Sequence, residues 1–255
     1  MYTVSNSIIK FVASLSQKKY RDKERCFVAE GTKCVLDTWE HFNCKMLISS
    51  QNWYETFGNQ SHINYLHIAS KLQLQKMSQF SNPSEVIAVY EIPENRIDPK
   101  EIDQKLNIIL DGIQDPGNLG TIIRLADWYG IRNILCSKQT VDVYNHKVVQ
   151  ATMGAISRVK VHYCNLEELL ETYPNMPVYG TTLDGENIYT AKLSDFGFVV
   201  FGNEGNGMSS KLKELTTCNL FIPSLNVDGE TSESLNVGLA AAITISEFCR
   251  NQLKR

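Results

Sequence analysis

The chain has 255 residues, of which 43% are hydrophobic, and its formal net charge is −3. This length allows one large domain or two modest ones, and the composition is ordinary for a soluble globular protein. Since no stretch approaches the roughly 20 apolar residues of a membrane span, and the amino terminus lacks a secretory signal pattern, we expect a cytoplasmic protein without membrane association.

The first 91 residues predict a small α/β domain. Helix-like stretches at residues 7–15 and 31–42 alternate with short apolar runs at residues 45–48 and 86–90, which are typical of strands. Residues 91–105 then contain two prolines and dense charge, a composition typical of an exposed linker. We therefore predict a first domain over residues 1–91 and a linker over residues 92–105.

A basic cluster lies within this first domain. Its members are Lys10, Lys18, Lys19, Arg21, Lys23 and Arg25. Only Asp22 and Glu24 interrupt the cluster. Such a pattern is typical either of a solvated helix face or of a surface that contacts phosphates, and charge alone favours the solvated face.

The remaining residues, 106–255, predict a second domain of alternating strands and helices. Apolar runs of strand length occur at residues 107–110, 133–136, 178–181, 197–201 and 220–222. Helix-like segments lie at residues 120–129, 147–155, 166–172, 209–215 and 235–253. This alternation predicts a mostly parallel sheet covered on both faces, with ligands beyond the carboxyl ends of its strands.

Three of the predicted strands are followed by unusual loops, although each loop taken alone suits an ordinary strand-to-helix turn. The first has the spacing N-x-G-x-x-x-R, which places Asn118, Gly120 and Arg124 near the start of a helix. Apolar residues surround Arg124, and an arginine keeps its charge, so its side chain must reach a carboxylate, a phosphate or solvent. The pattern is compatible with a structural ion pair and with a functional contact.

The second loop, residues 202–207, contains three glycines. It is too irregular for the G-x-G-x-x-G fingerprint and no P-loop follows, so we expect neither NAD binding nor nucleotide hydrolysis. The glycines would let backbone groups approach a flat ligand such as adenine, and Glu204 is the one charged residue in the loop.

The third loop contains the sequence SLNV twice, at residues 224–227 and 234–237. The first copy follows Pro223 and opens onto a polar, turn-like run. The second runs directly into an alanine-rich helix, where serine and asparagine suit the helix start. We therefore predict that the second copy is functional and that the first is an echo inside an enlarged loop.

The cysteines and histidines do not predict a metal centre. The seven cysteines are scattered without a C-x-x-C pair, and the five histidines lack H-x-x-x-H or H-E-x-x-H spacing. We expect reduced, mostly buried thiols and no bound metal.

Together, the three loops resemble the signature motifs of the SpoU/TrmH family of RNA 2'-O-ribose methyltransferases, within the SPOUT superfamily. The matching residues are Asn118, Gly120 and Arg124; residues 202–207; and Ile222, Pro223 and residues 234–237. Residues 147–155 resemble the family's intervening helix. The first domain, through residues 19–21 and 27–31, resembles the family's substrate-binding domain and ribosomal RNA-binding proteins.

The resemblance implies an α/β fold whose mostly parallel sheet has a trefoil knot at its carboxyl end, preceded by a small α/β domain. It further implies a homodimer, S-adenosylmethionine as the cofactor and an RNA ribose 2'-hydroxyl as the methyl acceptor. The catalytic domain would span residues 106–255. The chain departs from the family pattern in the longer spacing between Pro223 and Ser234.

The resemblance also assigns roles to individual residues. The catalytic set comprises Asn118, Arg124, Glu204, Ser234 and Asn236. The cofactor-binding set comprises Thr181, Thr182, Gly202, Asn203, Gly205, Ile222, Leu235 and Asn236. RNA contacts are expected from Lys18, Lys19, Arg21 and Arg124. Within the catalytic set, Glu204 would anchor the second loop, with a bond across the dimer as one option, and Ser234 and Asn236 would start the last helix.

The sequence leaves open the role of Arg124, the class of RNA and two rival functions. Arg124 either accepts the proton of the ribose hydroxyl or activates that hydroxyl electrostatically, and arginine gives up its own proton only at high cost near neutral pH. The two-domain organisation favours ribosomal RNA over transfer RNA. The rival functions are a non-catalytic RNA-binding protein and an α/β enzyme with a nucleotide cofactor and a small-molecule substrate.

Overall fold

The computed structural model describes residues 2–58, 66–226 and 233–250. The chain forms two compact units: Met1–Glu94 with Asp142–Arg158, and Asn95–Val141 with Val159–Arg255. Each unit has its own apolar core, around Val12, Ile48 and Met77 in the first and around Ile109 and Val200 in the second.

The first unit contains a five-stranded mixed sheet. The strands, in the order β1-β4-β3-β5-β2, are β1 (Tyr2–Thr3), β4 (Leu66–Ile68), β3 (Cys44–Ser49), β5 (Val86–Glu91) and β2 (Cys26–Glu30). Its helices are α1 (Asn6–Ser14), α2 (Lys18–Glu24), α3 (Thr32–Thr38), α4 (Gln51–Phe57), α5 (Lys71–Met77) and α8 (His146–Thr152), followed by a 3-10 turn (Ala155–Ser157). Strand β5 pairs antiparallel with β2 and β3, whereas β4 pairs parallel with β1 and β3.

Helix α8 joins the first unit although the sequence places it inside the continuous domain 106–255. It packs against β2. Near its start, Asp142 accepts two hydrogen bonds from the guanidinium of Arg21, and the Tyr144 ring lies 4.6 Å from that of Phe27. These contacts join segments more than 100 residues apart, which local patterns do not reveal.

The second unit contains a six-stranded sheet in which every strand pair is parallel. The strands, in the order β11-β9-β10-β6-β7-β8, are β11 (Cys218–Phe221), β9 (Val178–Asn187), β10 (Gly197–Gly202), β6 (Leu106–Asp111), β7 (Asn133–Cys136) and β8 (Lys160–Tyr163). Its helices are α6 (Pro99–Ile102), α7 (Pro116–Trp128), α9 (Leu166–Thr172), α10 (Ser210–Leu215) and α11 (Val237–Cys249). The predicted α/β fold with a parallel sheet is confirmed.

The order in which the chain adds strands to the sheet reverses between the neighbouring parallel strands β6 and β10. After β6 the chain moves outward to β7 and β8, whereas after β10 it moves the opposite way to β11. Loops that diverge from adjacent parallel strands leave a crevice beyond the carboxyl ends, which is where such sheets bind ligands. The first and second unusual loops border this crevice.

Strand β9 is longer than predicted because its pairing with β11 resumes after an interruption. Gly180 pairs with Asn219, but Leu220 pairs with Glu186, so residues 181–185 arch away from the sheet. Gly185 has a φ of +130°, and a Cβ there would collide with the carbonyl of Asn219. Only glycine fits this position without displacing the strand.

All seven cysteines are free, and four of them are buried. Burial raises the pKa of the Cys44 thiol to about 11, which keeps that thiol protonated at neutral pH. Over the described ranges, no helix has the length and hydrophobicity needed to cross a membrane.

Candidate active site

Helix α7 places Asn118 at the edge of the crevice. Asp115 caps the helix by accepting a hydrogen bond from the Asn118 N–H at 2.8 Å, and Pro116 supplies a first helical residue that needs no N–H partner. The Asn118 side chain is therefore not needed for capping and reaches two other loops.

A chain of hydrogen bonds joins the three unusual loops. Asn236 Nδ2 donates to Asn118 Oδ1 at 3.0 Å, and Asn118 Nδ2 donates to Glu204 Oε1 at 3.0 Å. Glu204 also accepts from the N–H groups of Gln114 and Asp115, both at 3.4 Å. The structure thus brings together Asn118, Glu204 and Asn236, and the partners of Glu204 lie within its own chain.

The start of α11 differs from the prediction. The helix begins at Val237, and Asn236 caps it by accepting from the N–H groups of Gly238 at 2.9 Å and Leu239 at 3.3 Å. Ser234, expected to serve as a cap, is exposed and lies before the cap position. Asparagine takes this role because its oxygen caps the helix while its amide donates to Asn118.

Arg124 is exposed on α7, with Ile122, Ile123 and Ala126 turned into the core. Among the described residues, Arg124 makes no hydrogen bond or ion pair. Of the three destinations that the sequence allowed, its guanidinium therefore reaches solvent. It is free to donate to an incoming phosphate or hydroxyl.

Asn203 organises the glycine-rich loop. Its Oδ1 accepts from the N–H groups of Gly205 and Asn206, both at 3.0 Å, and its backbone exchanges two hydrogen bonds with Gly207. Its Nδ2 donates to the carbonyl of Gly112 at 2.8 Å. The side chain predicted to contact the cofactor thus supports the loop from within.

Gly202 and Gly205 differ in the space that surrounds them. A Cβ on Gly202 would collide with the backbone of Gly207 and Met208, so folding itself excludes a side chain there. A Cβ on Gly205 would meet only Asn203 Oδ1, at 3.6 Å, which is an ordinary contact. Gly205 leaves open space that a ligand could approach closely.

The other predicted cofactor residues lie in and beside the arch of β9 and in the segment after β11. Thr181 Oγ1 donates to the carbonyl of Val200 at 2.8 Å, and Thr182 Oγ1 lies within the arch of β9, where it donates to the carbonyl of Asp184. Ile222, half-buried, follows β11, and Leu235 is 47% exposed. Polar groups, apolar side chains and the space beside Gly205 suit a ligand with both a nucleoside and an aliphatic part, as S-adenosylmethionine has.

Only part of the enlarged third loop is described. Ser224, Leu225 and Asn226 are exposed, and the Asn226 N–H donates to Ser224 Oγ at 3.1 Å, as in a turn. Val227, the last residue of the first SLNV copy, and residues 228–232 lie outside the described residues.

The predicted RNA contacts in the first unit differ in availability. Lys18 is exposed and pairs with Asp22 at 2.8 Å, and Lys19 lies over the Tyr20 ring at 4.8 Å. The assignment of Arg21 requires correction. Its side chain is 3% exposed, and its guanidinium binds Asp142 and the carbonyls of Leu15 and Ser16.

One residue near the candidate site, Ser137 of the second unit, belongs to none of the sequence motifs. Ser137, which follows β7, accepts a hydrogen bond from the N–H of Gly112 at 2.9 Å. A serine after a strand is typical of any turn, so no local signal distinguishes it. No group of three or more metal-ligating side chains occurs in the part of the chain that the structure describes.

Comparisons with known proteins agree on one family. The SpoU rRNA Methylase family model matches residues 105–246, more than half of the chain, and the MRM3-like substrate binding domain model matches residues 6–88. The 23S rRNA (guanosine(2553)-2'-O)-methyltransferase RlmP of Bacillus subtilis is 27% identical over 246 residues, covering 95% of this chain and 96% of RlmP.

Two solved structures resemble nearly the whole chain. A TrmH-family protein from Porphyromonas gingivalis is 35% identical with a TM-score of 0.87, covering 98% of this chain and 99% of that one. An AdoMet-bound rRNA methyltransferase from Sinorhizobium meliloti is 27% identical with a TM-score of 0.84, covering 98% and 97%. The chain belongs to the SpoU rRNA methylase family.

Proposed function

We propose that this protein transfers a methyl group from S-adenosylmethionine to a ribose 2'-hydroxyl of RNA, with ribosomal RNA as the favoured substrate. The observation that carries the proposal is the hydrogen-bond chain from Asn236 through Asn118 to Glu204. These bonds hold the three motif loops together at the crevice. Asn118 lies on the same helix as Arg124, whose side chain faces solvent. Membership of the family and the named activity of RlmP support the same reaction.

S-adenosylmethionine supplies a methyl group that is already activated by its sulfonium. Six residues would hold it, from the arch of β9, the end of β10 with the loop after it, and the loop after β11: Thr181, Thr182, Gly202, Gly205, Ile222 and Leu235. The space beside Gly205 supports this placement, since no contact among the described residues requires glycine there. The protein then has to align the acceptor and make its hydroxyl more nucleophilic.

Arg124 acts on the acceptor. Its guanidinium donates to the target ribose and the adjacent phosphate, and its positive charge lowers the pKa of the 2'-hydroxyl. Direct proton acceptance by Arg124 is the alternative, which requires an arginine to lose its proton near neutral pH. Asn118, Glu204 and Asn236 orient the helix and the ribose, and Ser234 offers a hydroxyl beside them.

The first unit contributes substrate binding. Its match to a substrate-binding domain model and the exposed Lys18 and Lys19 support contacts with RNA phosphates, which should weaken steeply with added salt. Transfer RNA is the alternative substrate. A binder that keeps the fold without transferring methyl groups is the rival from another class.

The family resemblance supports a proposal for assembly, and the sequence pattern supports one for location. We infer a homodimer, a trefoil knot formed by the carboxyl-terminal loops and helix, and a cytoplasmic location. The exposed Trp128 and Leu239, on helices α7 and α11, support the dimer because large apolar side chains at a surface favour burial against a partner. Light scattering at the concentration of the enzyme assay should give twice the monomer mass.

The deciding experiment measures labelled methyl transfer to purified ribosomal and transfer RNA and maps 2'-O-methyl groups in cells with and without the protein. We expect one ribosomal nucleotide to lose its methyl group in the deletion strain. Transfer to tRNA alone would redirect the substrate. RNA binding without transfer would favour the non-catalytic rival, and tight NAD or ATP binding without S-adenosylmethionine binding would favour the nucleotide-cofactor enzyme.

A further inference from the structure

The backbone of Gly112 lies where three loops meet. Its N–H donates to Ser137 Oγ at 2.9 Å, and its carbonyl accepts from Asn203 Nδ2 at 2.8 Å. Ser137 follows β7, Asn203 follows β10, and Gly112 itself follows β6. One residue is therefore fixed from both sides by side chains from the two neighbouring loops.

This arrangement matters because Gly112 turns the chain out of the sheet. Its φ of +73° ends β6, and four residues later α7 begins and sets the position of Asn118. Gly112 is buried, so without Ser137 its N–H would lack an acceptor and the peptide would have to shift to find one. Any such shift moves the start of α7.

Ser137 is well placed to hold this peptide rigidly. Its side chain is buried, with 8% exposure, and its Oγ lies 3.5 Å from Thr140 Oγ1. Thr140 Oγ1 in turn donates to the carbonyl of Leu110 at 3.1 Å. The Ser137 hydroxyl can therefore donate to Thr140 while it accepts from Gly112, which fixes its orientation.

We propose that Ser137 is a positioning residue for methyl transfer: it holds the Gly112 peptide so that Asn118 and the glycine-rich loop keep their relative geometry. This inference rests on the proposed function. Ser137 bonds to Gly112 and Thr140 and is not among the residues assigned to the acceptor or the cofactor, so its effect should appear in the turnover rate more than in binding.

The test compares Ser137→Ala with Ser194→Ala in the full-length chain. Ser194 Oγ also accepts a backbone N–H, that of Phe196 at 3.3 Å, but it precedes the amino end of β10. We expect Ser137→Ala to lower kcat about tenfold, the factor that corresponds to the loss of one ordinary hydrogen bond. KM for RNA and the Kd for S-adenosylmethionine should change less than about twofold, and Ser137→Thr, which keeps the hydroxyl, should recover most of kcat.

Hydrogen exchange provides a readout that does not depend on activity. Amide exchange over residues 110–118 should accelerate in Ser137→Ala and stay unchanged in Ser194→Ala. Equal kcat for the two alanine variants, or unchanged exchange at Gly112, would overturn the positioning role. If the wild-type chain transfers no methyl group to RNA, the proposed function fails, whereas the exchange experiment still tests whether Ser137 holds Gly112.

Discussion

At the scale of single residues, most polar side chains of the site already bond to other parts of the chain. Asn236 caps a helix and donates to Asn118, Asn118 donates to Glu204, and Asn203 binds three backbone groups. Arg124 differs, since its charged group faces solvent and makes no hydrogen bond within the described residues. The amides maintain geometry, and the arginine is available for the substrate.

Replacing Arg124 therefore separates activity from stability. Arg124→Ala should lower methyl transfer by about 100-fold or more, as expected for loss of a charged donor at a reacting centre. The free energy of unfolding should change by less than about 0.5 kcal/mol, because the side chain is exposed. Arg132→Ala, at another exposed arginine, is the control, and near-normal transfer by Arg124→Ala with S-adenosylmethionine bound would contradict the catalytic role.

The two copies of SLNV should respond unequally to substitution. Asn236→Ala removes a helix cap and the bond to Asn118, so we expect a loss of about 1 kcal/mol in the free energy of unfolding and a marked fall in kcat. Asn226→Ala, in the exposed turn after β11, should have little effect on either quantity. Denaturation and transfer assays measure both, and equal losses would favour two equivalent sites.

The motif residues could be predicted from the sequence because their spacing is local and typical of the family. Asn118, Glu204 and Asn236 meet as three motifs of one site would. Arg21 could not be predicted, since its partner Asp142 lies 121 residues away and turns a basic residue into a buried structural ion pair. The role proposed for Ser137 could not be predicted either, because it depends on a hydrogen bond to the backbone of Gly112, and such a bond leaves no pattern in the sequence.

At the scale of elements, the arch within β9 departs from regular strand pairing where the cofactor is proposed to bind. The alternating pattern predicted five of the six strands described in the second sheet, because apolar runs of strand length are local, whereas β8 and helix α6 were not predicted. The arch at residues 181–185 could not be predicted, since it arises from a shift in pairing with β11. The end of α11 was predicted at residue 253, but residues 251–255 lie outside the described range.

The glycine-rich loop allows a direct test of the cofactor site. Gly205→Val should leave the thermal midpoint nearly unchanged, because a Cβ there meets no close neighbour, while a branched side chain fills the space proposed for the ligand. Calorimetry should show S-adenosylmethionine binding weakened about tenfold, or about 1.4 kcal/mol. Gly202→Val should instead lower the thermal midpoint, and unchanged affinity in Gly205→Val would refute this placement.

A buried carboxylate at the end of β2, that of Glu30, should make stability depend on pH. Glu30 accepts hydrogen bonds from Ser78 Oγ and the Gln79 N–H, both at 2.7 Å, and burial raises its pKa above the ordinary value of 4.5. The folded state binds the Glu30 proton more tightly than the unfolded state does. The protonated Glu30 therefore stabilises the fold fully below pH 4.5, and this stabilisation is lost as pH rises through the pKa of Glu30 in the folded state.

Glu30→Gln should remove that dependence. Denaturant unfolding from pH 4 to 8 should show wild-type stability falling with pH relative to Glu30→Gln, whose neutral amide does not titrate. Glu85→Gln, at an exposed carboxylate that accepts from Ser50, provides the control. Parallel stability curves for wild type and Glu30→Gln would exclude the effect.

At the scale of the whole molecule, the first compact unit is discontinuous in sequence. Residues 142–158 belong to it although they follow β7 of the other unit. A fragment of residues 1–94 lacks Asp142, so the buried guanidinium of Arg21 loses its carboxylate, a loss that costs about 3–5 kcal/mol at buried pairs. Circular dichroism should show this fragment largely unfolded; cooperative unfolding at the full-length midpoint would contradict the expectation.

The same discontinuity affects how the protein is made. Amino-terminal domains commonly fold while the rest of the chain is still being synthesised. Here Arg21 and the β2 surface lack their partners until the segment with helix α8 has been made. That segment leaves the ribosome only after more than 50 further residues have been added beyond Glu94. During that interval the nascent unit exposes the β2 surface and leaves the guanidinium of Arg21 without its carboxylate, and the segment that ends this exposure comes from the middle of the chain.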